Sequence, residues 1–318
     1  MKVIVIGGGP AGCVAAYTLN KDGHDVEIFE ASDQFGGRTK QLHRDGFNLG
    51  TGALFLMGGI YPRTMALLQE MGRKTELKKW EGKTELMDED NSRYEVRFDS
   101  LLSFLKLPVL TFRDKVRLVY EGLKLFLTSG PKNPFSGPEL AAFDSGDNLE
   151  QWSRKHIGDR AYEYLMRPIM DFLYAVPLKE LSTPFPKAII QQAHKLALSV
   201  PPEGIGQIND WFLEAIPKEN KHLKSPVDKV ERIGEKWRVS VKGVVFDADR
   251  LLIATESFVA AKLLKDLIPE EAYESLMGTP YTEYAHVAVA YEKNPWPDYP
   301  VDMVLPVGVG GERNVGAM

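Results

Sequence analysis

Three glycines, Gly7, Gly9 and Gly12, stand at the spacing G-x-G-x-x-G, with Pro10 and Ala11 between the last two. An acid, Glu30, follows about 20 residues on. Residues of these types break no bonds; they hold a ligand. Gly7 permits a tight turn. Gly9 has no Cβ, so a pyrophosphate can reach the backbone, and Gly12 lets a helix lie close to a sheet. Glu30, with Ala31 beside it, offers a carboxylate to ribose hydroxyls, and its charge disfavours a 2′-phosphate, so NADP is not expected. The single cysteine, Cys13, falls at the start of the helix that the motif opens and reads as a small packed side chain rather than a nucleophile.

Such a set works only if particular elements position it. Lys2 to Ile6 is a short run of β-branched residues, a buried strand. Cys13 to Asn20 has the pattern of a helix, whose N-terminus presents unpaired N–H groups to phosphate. Val26 to Phe29 is a second apolar run, and it ends in Glu30. Strand, glycine turn, helix, strand and acid fall in the order of a dinucleotide-binding βαβ unit. A second glycine pair with an arginine, Gly36-Gly37-Arg38, follows.

The run Glu30-Ala31-Ser32-Asp33-Gln34-Phe35-Gly36-Gly37-Arg38 resembles the extended FAD fingerprint of the flavin-containing amine oxidase, protoporphyrinogen oxidase and phytoene desaturase superfamily. The resemblance implies an α/β fold: a Rossmann-like FAD-binding domain of the GR2 type with an inserted, mainly helical substrate domain. It implies FAD as cofactor, with Arg38 placing a fixed positive charge near the phosphates. Gly50, Thr51, Gly52 and Ala53 match a segment that crosses near the ribityl chain and ring, although Asn48 stands where many members have Asp. Pro201-Pro202-Glu203-Gly204-Ile205-Gly206 marks the return to the cofactor domain with one glycine fewer than the family's Pro-x-Gly-Gly. Val227 matches the residue whose backbone meets the adenine edge, and Ala254 ends a buried strand beside the cofactor.

The same resemblance covers Asp147 to Ser182, which looks like the helical substrate domain. Met166, Phe172 and Tyr174 either line a pocket there or are ordinary core. Tyr284 to Tyr291 alternates as a strand. Aligned on Tyr291, His286 takes the position of a lysine that amine oxidases place near the flavin, where it assists proton transfer or is merely structural. Domain boundaries follow: residues 1–74 and 202–258 for FAD, 75–201 and 259–318 for substrate. The family continues with a glycine-bearing helix that closes the FAD site, and nothing before Met318 matches it. The expectation is therefore a fragment or a divergent short protein.

The function implied is an FAD-dependent oxidoreductase that takes a hydride from a C–N or C–C bond of an apolar or conjugated small molecule. Two alternatives stand beside it. One is a non-redox binding protein of the same fold, like the Rab GDP-dissociation inhibitors, which has no need of Glu30 and Gly36-Gly37-Arg38. The other is a fragment unable to hold FAD.

Composition agrees with a globular protein, 44% hydrophobic and 26% charged. A net charge of −5 gives no footprint for nucleic acid, and the six histidines show no metal-ligand spacing. With a strand starting at Lys2 no signal peptide is expected, and one cysteine excludes an internal disulfide, so a cytoplasmic location is expected, either free or associated with a membrane surface. Helices are expected over 64–71, capped by Gly72, through much of 100–200, and over 208–216. A hairpin is expected near Tyr94 to Phe98, and strands over 227–233, 236–241, 244–246 and 247–255. Within 104–127, Phe112, Val116, Val119, Leu123 and Phe126 recur at helical steps among Arg113, Lys115, Arg117 and Lys124. Such a helix either buries its apolar face in a core or lies on a membrane surface. The first arrangement is far commoner and is preferred.

Overall fold

The structure, a computed structural model, describes residues 1–80, 83–97, 100–128, 130, 133–174, 176–283, 285–293 and 301–307. The chain divides into two compact units. The first is Met1–Leu56, Glu76–Lys78 and Val200–Ala290, the second Met57–Thr75, Lys79–Ser199 and Tyr291–Met318. These boundaries differ from the expected ones most in two places, with Glu76–Lys78 and residues 200–201 also falling in the first unit. Met57–Thr75 belongs to the second unit, and residues 259–290 to the first. The latter follows from packing, since Leu263 and Leu267 lie against the core of the first unit.

The first unit is built on a four-stranded sheet in the order Lys221–His222, Asp25–Phe29, Lys2–Ile6, Arg250–Ile253. Every pairing in it is parallel. Val3, Ile4, Val5 and Ile6 are all buried, the continuous apolar run of a strand covered on both faces. Ile4 and Ile6 join Phe29, Val230, Val239, Val241 and Ala248 in one core. The last four come from a three-stranded antiparallel sheet, Lys229–Ile233, Lys236–Val241 and Val244–Ala248. Alternation along the strand turns Val3 and Val5 to the opposite face. The helix Pro10–Lys21 buries only small residues, Gly12, Cys13 and Ala16, and so can sit close to its neighbours. Helix Gln207–Leu213 packs beside it, with the rings of Tyr17 and Phe212 5.6 Å apart.

The expected strand over Tyr284 to Tyr291 does not form. Residues 285–291 have no regular structure and are exposed, Val287 and Val289 among them. No described strand pairs with this segment, and an unpaired strand is not stable in water. Tyr284 itself and the final stretch 308–318 lie outside the described residues.

The second unit carries the hairpin, Lys83–Met87 paired with Arg93–Val96, joined by a parallel strand Val301–Pro306. The expected short helix runs Pro62–Glu70 and ends before Gly72. Helices Phe112–Leu127, Leu149–His156, Arg167–Tyr174 and Pro184–Gln191 follow, with a buried π-helical turn at Tyr162–Met166. Buried Glu163 accepts from Arg154 Nη2 at 2.8 Å and Arg167 Nη1 at 3.0 Å, which gives its charge two partners.

Helix Phe112–Leu127 overturns the preferred reading of its sequence. Phe112 is 83% and Leu127 80% exposed, whereas Asp114 and Glu121 are 7% and 6% exposed. Its acids face inward because each has partners there. Asp114 forms a capping box with Thr111, and Glu121 meets His156 Nδ1 at 3.0 Å and Lys124 Nζ at 3.7 Å. Among the described residues no helix is long and apolar enough to cross a membrane, and no cluster of three metal-ligating side chains occurs.

Candidate functional site

The glycines of the first unit make a cradle of backbone. Gly7 has φ +102°, and a side chain there would press on the backbone of Ala254, 2.7 Å from its carbonyl oxygen. Ala254 is thereby placed directly against the turn. A Cβ at Gly12 would overlap the Gly7 carbonyl oxygen, so the helix can approach the first turn only as glycine. Gly9 is the opposite case: a Cβ there would meet nothing within 4 Å. Gly9 N-caps the helix and Pro10 is its first residue, so the N–H groups of Ala11 and Gly12 head a 12-residue helix beside that open space.

The second glycine pair lies on the first. Gly36 N–H donates to Gly8 O at 2.7 Å, and a Cβ on Gly37 would stand 3.1 Å from Gly9 Cα. Gly36, at φ +120°, makes the turn that brings the chain back. Residues 51–53 continue the stack. Thr51 N–H and Oγ1 both donate to Lys40 O, Ala53 N–H donates to Arg38 O, and a Cβ on Gly52 would overlap that same oxygen. Gly50 ends the strand Phe47–Gly50 that leads into this stack. Arg38 is exposed and makes no ion pair with a described residue.

Glu30 is clamped from both sides. Its Oε2 accepts from Gly8 N–H and its Oε1 from Ser32 N–H, each at 2.8 Å. A carboxylate oxygen accepts two hydrogen bonds, so each retains one free acceptor position. The approach to Val227 runs alongside, because Lys224 N–H donates to Ser32 O and Ser225 N–H to Glu30 O. Ala31 is exposed next to the clamp. Cys13 is fully buried, its Sγ 3.3 Å from Gly8 O. Burial, and then the nearby Glu30 charge, push its thiol up to about 12, so it stays protonated and inert.

Sequence reasoning missed Asn209. It is buried in helix Gln207–Leu213 and donates through Nδ2 to Thr39 Oγ1 at 2.8 Å and Gly206 O at 3.0 Å. Its Oδ1 is buried with no partner among the described residues. A polar residue between Ile208 and Trp211 in an apolar helical run was the available signal. Gln41 was missed as well; its Oε1 accepts from Gly206 N–H at 3.1 Å, and so fixes the turn after Pro201.

The remaining candidates lie elsewhere. His286 sits in the exposed stretch without regular structure, and no described residue hydrogen-bonds to it. Met166 is buried in the π-helical turn of the second unit, and Phe172 and Tyr174 are half-buried on the helix that follows. Tyr174 packs edge-on against Phe185 with ring centres 5.5 Å apart, and burial pushes its hydroxyl above the usual range. A groove of about 190 Å³ in that unit is lined by Glu121, Lys124, Phe143, Trp152 and Lys187, among others, and by none of these three.

Residues 10–315 match the family model described as flavin containing amine oxidoreductase. The chain belongs to this family. The cofactor that the family implies is FAD. Among family relatives, putrescine oxidase of Kocuria rosea is 30% identical over 159 residues, 50% of this chain and 32% of that one. A 4,4′-diapophytoene desaturase (4,4′-diaponeurosporene-forming) of Staphylococcus aureus is 44% identical over 62 residues, 19% of this chain and 12% of that one. The chain therefore matches a third or less of the length of these curated relatives. Among solved structures, a putative protoporphyrinogen oxidase from Exiguobacterium sp. 255-15 shares the fold with a TM-score of 0.59. It is 18% identical, over 85% of this chain and 63% of that one.

Proposed function

We propose that the first unit is a Rossmann-like FAD-binding domain of the GR2 type, and that the second is the inserted substrate domain of an FAD-dependent oxidoreductase. The observation that carries the reading is the open space over Gly9, bordered by a helix N-terminus and by Gly37, with the exposed Arg38 next in the chain. A diphosphate fits a concave backbone of this kind, since nothing but N–H groups and a cation meets it. The N–H groups of Ala11 and Gly12 face the phosphates, and Arg38 supplies positive charge. Glu30 keeps one acceptor position on each oxygen for ribose hydroxyls, and Ala31 leaves room beside it. Val227 presents backbone to the base, and Gly50 to Ala53 border the rest of the nucleotide. The buried, unpartnered Oδ1 of Asn209 favours a polar group or water held against the stack.

When bound, FAD supplies the redox step, accepting a hydride from a C–N or C–C bond of an apolar or conjugated small molecule. The chain's part is to bind, orient and exclude water. Amine-type, carotenoid-type and protoporphyrinogen-type substrates are all compatible with this reading. Purified protein is expected to be yellow, or to take up added FAD with quenching of its fluorescence. Glu30→Ala is expected to weaken that uptake at least about tenfold, the effect of losing hydrogen bonds to a charged group. A wild-type protein that neither carries nor takes up FAD would remove the assignment.

A further inference from the structure

The helix Phe112–Leu127 is turned inside out relative to an ordinary surface helix. At 3.6 residues per turn, Phe126, Phe112, Leu123, Val116, Leu127 and Tyr120 fall on one arc, and all six are exposed. Lys115 borders the arc on one side, and Arg113 and Lys124 on the other. The two acids of the helix are buried on the far side, held by Thr111, His156 and Lys124. Arg113 and Lys115 make no ion pair with a described residue. The outward surface therefore joins an apolar centre to cationic flanks and carries no acid, although the chain as a whole has a net charge of −5.

We propose that this helix lies in the surface of an anionic lipid bilayer. The chemistry favours that occupant. The apolar arc is suited to the boundary between headgroups and acyl chains, and the flanking lysine and arginine side chains extend to the phosphates on either side. A 16-residue helix is roughly 24 Å long, enough for the whole arc to lie flat. No described helix is built to span, so the contact is with one leaflet. A second copy of the chain is the poorer occupant, because a two-fold contact through this face brings cationic flanks together. Apart from the edge contact of Phe126 with the His194 ring, centres 6.3 Å apart, these side chains are open to burial by lipid.

The test is co-sedimentation of the detergent-free protein with vesicles of phosphatidylcholine alone and of phosphatidylcholine with phosphatidylglycerol. Binding is expected to be at least about tenfold stronger to the anionic vesicles and to fall as salt is raised. Phe126→Glu and Leu123→Glu are expected to abolish it while thermal unfolding stays unchanged, since both side chains already face water. Arg113→Gln and Lys115→Gln are each expected to weaken it by about fivefold. Failure to sediment with anionic vesicles at low salt overturns the proposal, as does binding that survives Phe126→Glu. Sedimentation velocity provides the remaining outcome. A dimer that Leu123→Glu disperses, with no vesicle binding, overturns the proposal and assigns the face to a second copy.

Discussion

The strand Lys2–Ile6 and the helix Phe112–Leu127 have equally clear apolar patterns and opposite fates. The strand's apolar residues are sealed between a helix and a second sheet. The helix turns six of its apolar residues out and both its acids in, with Leu118, Val119 and Leu125 half-buried. A pattern records that one face differs from the other, but it does not record which face meets water. In the strand that choice is forced, because both faces are apolar and a parallel sheet is covered on both sides. In the helix two carboxylates are tied down on the inward side, Asp114 by the Thr111 cap and Glu121 by half-buried His156 and by Lys124 at the edge of the outer face.

Cys13, in the packed region, is expected to react with iodoacetamide at least about a hundredfold more slowly in the folded chain than in the unfolded one, because it is fully buried and its thiol is held protonated. Mass spectrometry at mildly alkaline pH checks this. The same shift makes stability fall as pH rises from 9 towards about 12, since the folded state keeps a proton that the unfolded state releases. Gly12→Val must displace the Gly7 carbonyl and is expected to destabilise by about 3 kcal/mol in denaturant unfolding. Gly9→Ala, at the helix N-cap and in open space, is expected to stay within about 0.5 kcal/mol while weakening FAD uptake.

On the helix the order of costs reverses the usual rule. Glu121→Ala strands a half-buried His156 and is expected to destabilise by about 2 kcal/mol. Thr111→Ala removes the cap and is expected to destabilise by about 1 kcal/mol. Leu123→Ser is expected to change stability by less than about 0.5 kcal/mol. If Leu123→Ser proves the costlier of the first and last of these in thermal melts, the helix is not inverted and the comparison fails.

The glycine cradle was legible because its residues act through what they lack, and absence of a side chain is readable at once. Gly7, Gly12, Gly36 and Glu30 all fall where their spacing places them. Asn209 and Gln41 were not legible, because they reach the cradle only through folding across more than 160 residues. The strand expected at 284–291 failed for a related reason. Alternation supplies a face, whereas a strand also needs a neighbour.

One further consequence lies in Glu30. Its carboxylate already fastens Gly8 to Ser32 before any nucleotide is considered. A change there that admitted a phosphorylated sugar would also untie the end of the sheet. If FAD binds as proposed, ligand preference and architecture share a single side chain, and a substitution at that position touches both.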